Sequence, residues 1–247
     1  MNENKYFKFS NNVIIIPLII VLLIWTVYWI EIHFHINFNK HGVYPRTFSG
    51  LQGIVLSPLI HGSLKHLYNN TIPIAVLTAS LVYFYRGVYV KVILYGILVS
   101  GIITWCIARP SYHIGISGLI YVFASFIFFK GIFTKHFRLV ALSLLVVFIY
   151  GSLLWYIFPV KENISWEGHL AGFLTGLFFA IFIKTPIPYK QKYVWESENY
   201  NEEEDVFLSH FDEKGNFIEQ KEELEEEQKS NQITYWYTFK KSDKDNL

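Results

Sequence analysis

Three short clusters of polar residues interrupt apolar stretches of this sequence, and their residue types are those that hydrolytic enzymes use. The clusters are HGSLKHLYNN at residues 61–70, GISG at residues 115–118 and GHLAGFLTG at residues 168–176. A serine hydroxyl is a weak nucleophile that needs a base within hydrogen-bonding reach, and histidine is the usual base because its unperturbed pKa lies near neutrality. Ser117 and His169 are therefore the candidate nucleophile and general base of an acyl-transfer reaction.

Other residues of the same clusters are candidates for supporting roles. The oxyanion of an acyl-transfer intermediate needs donors that already point at it, and a helix that begins at Ser117 would supply free backbone N–H groups. His66 and Asn70 are four residues apart, so they share one helical face and could donate together. Tyr121 follows Ser117 by four residues and is placed to stack on an imidazole ring.

The elements that must position these residues are hydrophobic helices. The 247 residues are 52% hydrophobic and 19% aromatic but only 17% charged, whereas soluble domains carry about 25% charged residues. A helix needs about 20 apolar residues to cross the hydrocarbon core of a bilayer. Six spans are predicted, at Val13–Ile30, Leu67–Phe84, Val92–Ile107, Ile116–Phe129, Leu139–Phe158 and His169–Ile183.

The flanks of the spans predict the orientation of the chain. With the N-terminus inside, the cytoplasmic segments hold ten Lys and Arg residues and the outer segments five, which favours a cytoplasmic location for both ends. All three polar clusters then open at the outer face, where even-numbered helices begin. The fourth span has only 14 residues, so Ser117 is expected to start below the outer surface in a water-filled hollow.

Glycines indicate how the helices that carry Ser117 and His169 could approach each other. Gly168, Gly172 and Gly176 recur every four residues and predict a smooth stripe that packs closely against a neighbouring helix. Gly118 offers a matching small surface beside the candidate nucleophile.

The predicted organisation has three parts: a short cytoplasmic N-terminus (residues 1–12), a membrane domain (13–184) and a soluble tail (185–247). The tail is acidic, since 16 Asp and Glu residues stand against 6 Lys and Arg from residue 196 onward, compared with 4 against 15 before it. The outer connection at 31–60 is too apolar for a solvated loop and is expected to lie in the interface or pack on the bundle. Three tail segments are predicted as strands, the first two as a hairpin: Val206–Phe211, Asn216–Ile218 and Ile233–Phe239.

Several function classes are disfavoured. The basic residues are scattered between apolar blocks, so nucleic-acid binding is not expected. The single cysteine, Cys106, excludes an internal disulfide and a cysteine-based zinc site. His61, His66 and His169 lack the local spacing of a zinc site, so a metal site is disfavoured. A transporter is disfavoured because the sequence shows no inverted repeat and no acidic residue is expected to be buried.

The spacing within the three clusters resembles that of the rhomboid intramembrane serine proteases. The shared pattern is His-x4-His-x3-Asn, then Gly-x-Ser-Gly with a Tyr four residues after the Ser, then His-x2-Gly-x3-Gly. The matching positions are His61, His66, Asn70, Gly115, Ser117, Gly118, Tyr121, His169, Gly172 and Gly176, and the resemblance covers residues 13–184. It implies an all-α membrane protein with a bundle of six transmembrane helices.

The resemblance also implies an activity. A Ser117–His169 dyad without a third acid would cleave transmembrane proteins within the lipid bilayer, near their outer membrane boundary. The oxyanion hole would consist of the Ser117 N–H, His66 and Asn70, with no metal or cofactor. Many members of that family carry a Trp-Arg pair in the first outer loop, which is absent between Glu31 and Ile60, so the anchoring of this loop is expected to differ.

Each site residue also has a non-catalytic interpretation. Ser117 is a small residue of the kind that eases helix packing, and His169 and Asn70 could bond to a neighbouring helix. His61 and His66 could tie down the outer loop. The alternative function is therefore a non-catalytic rhomboid-like protein that binds membrane proteins, although such relatives usually lack the Ser or the His. The richness in Ile, Asn, Lys, Tyr and Phe is typical of an AT-rich bacterial genome and favours a bacterial inner membrane.

Overall fold

The computed structural model describes residues 7–161, 164–186, 193, 195, 198–201, 205–212 and 214–218. Six helices form its framework: α1 Asn12–His33, α2 Leu64–Phe84, α3 Tyr89–Ile107, α4 Ser117–Thr134, α5 Phe137–Tyr150 and α6 Trp166–Phe182. A one-turn α-helix, Gly53–Leu56, and several 3-10 segments lie between them. The described residues include no β-strand beyond two isolated bridges, so the predicted all-α class is confirmed.

Five helical segments in the described part of the chain are long and apolar enough to cross a bilayer. They are α1 to α4, and α5 together with its 3-10 continuation to Ile157. α6 is apolar as well but has 17 residues. The outward faces carry large apolar side chains, such as Leu18 and Leu22 of α1, because lipid rather than water surrounds them. The chain is therefore a multi-pass integral membrane protein.

α4 lies at the centre of the bundle, in contact with α2, α3, α5 and α6. It runs for 18 residues, Ser117–Thr134, so the prediction of a short fourth span that ends at Phe129 is wrong. Lys130 does not end the helix, because its Nζ donates to the carbonyl groups of Ala180 (3.0 Å) and Ile183 (2.6 Å) at the end of α6. The unpaired carbonyls of a helix C-terminus stabilise a cation, and the apolar helix therefore continues past it.

α4 packs more extensively against α6 than against any other helix. A Cβ on Gly172 would lie 2.2 Å from the carbonyl oxygen of Gly118, and a Cβ on Gly176 would lie 2.4 Å from that of Val122. Neither position has room for a side chain, so the glycines of α6 let the two backbones touch. Gly168 lies at the start of this contact, where its carbonyl oxygen would be 3.4 Å from a Cβ on Gly118.

The outer connection between α1 and α2 packs against the end of α3. The Nη1 of Arg46 donates to the carbonyls of Cys106 (3.0 Å) and Ala108 (2.9 Å). In the opposite direction, the indole N–H of Trp105 donates to the carbonyl of Thr47 at 2.9 Å. An arginine and a tryptophan from two separate segments thus anchor this connection, which lacks an adjacent Trp-Arg pair.

The chain divides into two compact units, Met1–Lys190 and Gln191–Leu247. The second unit contains the acidic tail, of which only residues 193, 195, 198–201, 205–212 and 214–218 are described. The strand predicted at Ile233–Phe239 lies outside the described residues.

The hairpin predicted in the tail is only partly present. Its first strand is wrong, because Leu208–His210 form a 3-10 turn. The chain does reverse, with one antiparallel bridge between Phe211 and Phe217. The carboxylate of Asp212 accepts the backbone N–H of Asn216 at 2.7 Å, and an aspartate that captures a nearby backbone donor favours a tight turn over an extended strand.

Candidate active site

Ser117 is the first residue of α4, where a glycine leads the chain into the helix. Gly115 has a φ of +106°, which side chains with a Cβ rarely adopt. Its N–H donates to the carbonyl of Ser57 at 2.8 Å, which fixes the approach to the helix. The first N–H groups of an α-helix have no partner within the helix, so the Ser117 N–H is available to a developing negative charge.

His169, in the first turns of α6, holds a hydrogen bond on each ring nitrogen. Its Nε2 lies 2.9 Å from the Oγ of Ser117, and its Nδ1 lies 3.0 Å from the carbonyl oxygen of Tyr156. A carbonyl oxygen only accepts, so Nδ1 must carry the proton and Nε2 must be the acceptor for the serine hydroxyl. His169 is 8% exposed, and this pairing directs the unprotonated ring nitrogen at the hydroxyl of Ser117.

Tyr121 stacks on the imidazole of His169, as its position in the sequence predicts. The ring centroids are 4.3 Å apart and the planes differ by 16°. The Tyr121 hydroxyl donates to the carbonyl of Leu153 at 2.7 Å. Leu153 and Tyr156 both belong to the 3-10 segment Gly151–Ile157, so one short segment fixes both rings. No pattern of residue types could have identified these acceptors, because every residue carries a backbone carbonyl.

His66 and Asn70 lie against the glycine turn that precedes the serine. A Cβ on Gly115 would be 2.8 Å from His66 Nε2 and 3.7 Å from Asn70 Nδ2. The Asn70 Nδ2 is buried and has no hydrogen-bond partner among the described residues. A buried donor without a partner is costly, so an amide held in this way is suited to bind an oxygen atom that arrives with a ligand.

The start of α2 sets the direction of these two side chains. Ser63 is its N-cap residue, and the Ser63 Oγ accepts the backbone N–H of His66 at 3.1 Å. This cap fixes the first turn, so that His66 and Asn70 lie on one helical face toward the site.

His61 packs behind His66 and does not itself line the cavity described below. Its side chain is 1% exposed and its ring centroid lies 5.0 Å from that of His66. Burial, and secondarily the neighbouring His66, lower the pKa of His61 from 6.5 to about 4. His61 is therefore a neutral ring at physiological pH and supports His66 by contact.

A cavity of about 1110 Å³ opens over these residues. Its lining includes Ser117, His169, His66, Asn70 and Tyr121, and its charged lining residues are Lys65, Arg109 and Lys161. None of its lining residues is acidic, so the field inside favours negative charge on a bound group. The volume is that of cavities that enclose extended ligands.

A second cavity, of about 50 Å³, is also lined by Ser117. Ser100 and Thr104 of α3, together with His113 and Ser165, contribute to its lining. Polar cavities of this size accommodate water.

The structure also brings together four residues that the sequence did not identify as site residues. They are Arg109, His113, Ser165 and Glu167, which connect the loop before Ser117 with the first turn of α6. The expectation that no acidic residue is buried is wrong, because Glu167 is 2% exposed. A glutamate in the first turn of a helix is usually solvated, and only its partner Arg109 makes burial possible here.

Among the described residues, no group of three or more His, Cys, Asp and Glu side chains is arranged to hold a metal ion. The ring nitrogens of His169 are already bonded to Ser117 and Tyr156. The large cavity thus brings together a hydroxyl group (Ser117), an imidazole nitrogen that accepts its hydrogen bond (His169) and an amide nitrogen without a partner among the described residues (Asn70).

Comparison with known proteins finds a matching family model and several similar proteins. A family model described as the Rhomboid domain matches residues 49–185, more than half of the chain and all of the site described above. The chain is 33% identical over 159 residues to uncharacterized proteins of Mycobacterium tuberculosis and Mycobacterium bovis. These matches cover 60% of this chain and 65% of each relative, so the chain spans slightly less than two thirds of their length. An uncharacterized protein of Mycobacterium leprae is 32% identical over 147 residues, which cover 55% of this chain and 57% of that protein.

Proposed function

The chain belongs to the rhomboid family, and on that premise we propose that it is an intramembrane serine endopeptidase with a Ser117–His169 dyad. One observation carries the proposal: the 2.9 Å contact between His169 Nε2 and Ser117 Oγ, with Nδ1 held by the carbonyl of Tyr156. Nucleophile and base at this distance, with the base itself oriented by a third group, are the signature of an activated serine.

The dyad supports a two-step hydrolysis. In the first step, His169 Nε2 takes the proton of Ser117 as Oγ attacks the scissile carbonyl carbon. The C–N bond then breaks, the proton passes to the leaving amine, and an acyl-enzyme ester remains on Ser117. In the second step, His169 takes a proton from water, which attacks the ester and releases a carboxylic acid and free Ser117.

The oxyanion of both steps is bound by groups that are already in place. The Ser117 N–H at the start of α4, the unpartnered amide of Asn70 and the ring of His66 are the proposed donors. Preorganised donors of this kind often supply the largest share of catalysis, because no reorganisation is needed when charge develops. Stacking by Tyr121 and contact from His61 support the two histidines.

We further propose a membrane domain at residues 13–184 with six spans, of which α6 is the last, between a cytoplasmic segment 1–12 and a cytoplasmic acidic tail 185–247. The distribution of Lys and Arg supports this orientation and puts Ser117 near the outer face of a bacterial inner membrane. The substrates are the transmembrane segments of other membrane proteins, which reach the cavity from the bilayer.

The test is cleavage of a single-span substrate in liposomes by purified wild type and by the variants Ser117→Ala and His169→Ala, each with and without a chelator. Ser80→Ala is the matched control, because Ser80 is a half-buried α2 residue whose hydroxyl donates to the carbonyl of Val76 in its own helix. We expect cleavage by wild type and Ser80→Ala, none by the two site variants, and no effect of the chelator.

The outcomes separate the candidate functions. Cleavage that survives Ser117→Ala would remove Ser117 from the mechanism. Binding of a substrate without cleavage, in wild type and Ser117→Ala alike, would support the non-catalytic alternative. Inhibition by the chelator would indicate a metal-dependent reaction instead.

A further inference from the structure

A buried acidic residue stands next to the dyad without contacting the nucleophile. Glu167 lies in the first turn of α6, two residues before His169. Its Oε1 accepts the backbone N–H of Arg109 at 3.2 Å and lies 3.7 Å from the Nε of that residue. Its Oε2 is buried without a hydrogen-bond partner among the described residues. Burying a carboxylate is costly unless it is paired, so Glu167 depends on Arg109.

Two further contacts join the same two segments. The Nη2 of Arg109 donates to the carbonyl of Ile164 at 2.8 Å. His113 Nε2 lies 3.0 Å from the carbonyl of Arg109, and His113 Nδ1 lies 2.6 Å from the Oγ of Ser165. Because a carbonyl only accepts, Nε2 carries the proton and Nδ1 accepts the Ser165 hydroxyl. Burial lowers the pKa of His113 below its ordinary value, which keeps this neutral tautomer in place.

These contacts connect the two halves of the dyad. Arg109 and His113 belong to the loop that ends at Ser117, whereas Ser165 and Glu167 belong to the first turn of α6 and its approach, which carry His169. The glycine contact between α4 and α6 lies deeper along the helices, at Gly172 and Gly176. The polar contacts therefore act together with the approach of Gly168 to Gly118 at the ends of the two segments where the 2.9 Å contact between the dyad side chains is made.

We propose that Arg109 and Glu167 are positioning residues, a clasp that holds His169 at the reacting distance from Ser117. The proposal rests on the proposed protease function. Residues two apart on a helix point to different sides, so the carboxylate acts through the ion pair and not as a third member of the dyad. Its negative charge, close to the start of α6, also favours the imidazolium that forms when His169 holds the serine proton.

The test uses variants of the full chain in liposomes. Glu167→Gln keeps an oxygen that accepts the backbone N–H of Arg109 but removes the charge. Arg109→Gln keeps that N–H but removes the guanidinium, together with its hydrogen bond to the carbonyl of Ile164. We expect each to lower kcat about 10-fold or more with little change in KM, since small displacements of reacting groups have effects of that size. The decrease in kcat of the double variant should be smaller than the product of the two single decreases, because both changes break the same ion pair. Arg109→Lys keeps the positive charge and should therefore lower kcat less than Arg109→Gln does.

Glu31→Gln is the matched control, because Glu31 is the other buried glutamate of the described residues. Its carboxylate accepts the backbone N–H of Phe38, in the connection between α1 and α2. This variant should leave kcat unchanged. A general loss of stability would instead lower the melting temperature in parallel with kcat. Two results would overturn the clasp and leave the protease function standing. One is an unchanged kcat in Glu167→Gln, and the other is a decrease in kcat of the double variant that equals the product of the two single decreases.

A second readout does not depend on proteolysis. The Nδ1–H proton of His169, identified by its loss in His169→Ala, is observed by NMR in wild type and Glu167→Gln. The clasp predicts that its resonance shifts in Glu167→Gln and not in Glu31→Gln. If no substrate is cleaved, the protease proposal fails and this resonance alone decides: an unchanged signal in Glu167→Gln would refute the clasp.

Discussion

The backbone carbonyl of Tyr156 lies 3.0 Å from Nδ1 of His169 and thereby determines which ring nitrogen faces Ser117. In serine hydrolases with three catalytic groups, an acidic side chain performs this task. Here a 3-10 segment performs it with a carbonyl, which cannot take a proton and so leaves the tautomer fixed. The same segment binds the Tyr121 hydroxyl through the carbonyl of Leu153, and its conformation therefore bears on catalysis.

Tyr121 allows the contribution of this segment to be measured. Tyr121→Phe removes the hydrogen bond to Leu153 and keeps the stacked ring, whereas Tyr121→Ala removes both. We expect a decrease in kcat of about 5-fold for Phe and a larger decrease for Ala, since a neutral hydrogen bond contributes about 1 kcal/mol and a stacked pair a similar amount. The kcat of both variants is measured on a single-span substrate. Equal kcat values for Tyr121→Ala and wild type would show that the stacked ring has no catalytic role.

Asn70 distinguishes an oxyanion donor from a residue that holds helices together. The Nδ2 of its amide has no hydrogen-bond partner among the described residues, so Asn70→Ala should lower kcat about 100-fold, the typical effect of losing one oxyanion donor. The melting temperature should stay level or rise, because an unsatisfied buried group is removed. A fall in melting temperature with kcat preserved would assign Asn70 to helix association.

Residue type alone singles out side chains that come together in the structure. Ser117, His169, His66, Asn70 and Tyr121 stand out because polar side chains in apolar segments are costly, and the structure lines one cavity with all five. Their catalytic roles remain predictions until they are tested.

Other features were not predictable from residue type or local spacing. The carbonyl of Tyr156 acts through the backbone. Glu167 and Lys130 are charged residues that normally mark a solvated position or the end of a span, and their burial depends on partners about 50 residues away. The turn at Asp212 replaced a strand because a side-chain oxygen captured the backbone donor. Such long-range or side-chain-to-backbone contacts leave no periodic pattern.

Gly172 tests whether close approach of α4 and α6 is required. A Cβ there would lie 2.2 Å from the backbone oxygen of Gly118, which no rotamer change can relieve. Gly172→Ala should therefore lower stability by about 1–3 kcal/mol and reduce activity, because α6 carries His169. Gly151→Ala is the control, since its Cβ would meet only Val147 at an ordinary 3.6 Å. Equal melting temperatures for the two variants would contradict the packing described for α4 and α6.

His61 predicts a specific dependence of stability on pH. Its pKa is about 4 in the folded protein, below the ordinary 6.5, so between these values the unfolded chain binds a proton that the folded chain does not. Stability should therefore fall as the pH falls from 6.5 toward 4. Melting temperatures in detergent across this range should change less steeply for His61→Asn. All other histidines are present in both proteins, and identical slopes would show that His61 is not buried in its neutral form.

The most direct test of the Ser117–His169 dyad is covalent trapping of the nucleophile. The wild-type protein in liposomes is treated with a fluorophosphonate, and the modified residue is located by mass spectrometry. The dyad predicts a phosphonyl adduct on Ser117 that forms in wild type and Ser80→Ala and is absent from His169→Ala. An adduct on another residue, or one that forms on Ser117 at the same rate without His169, would contradict it.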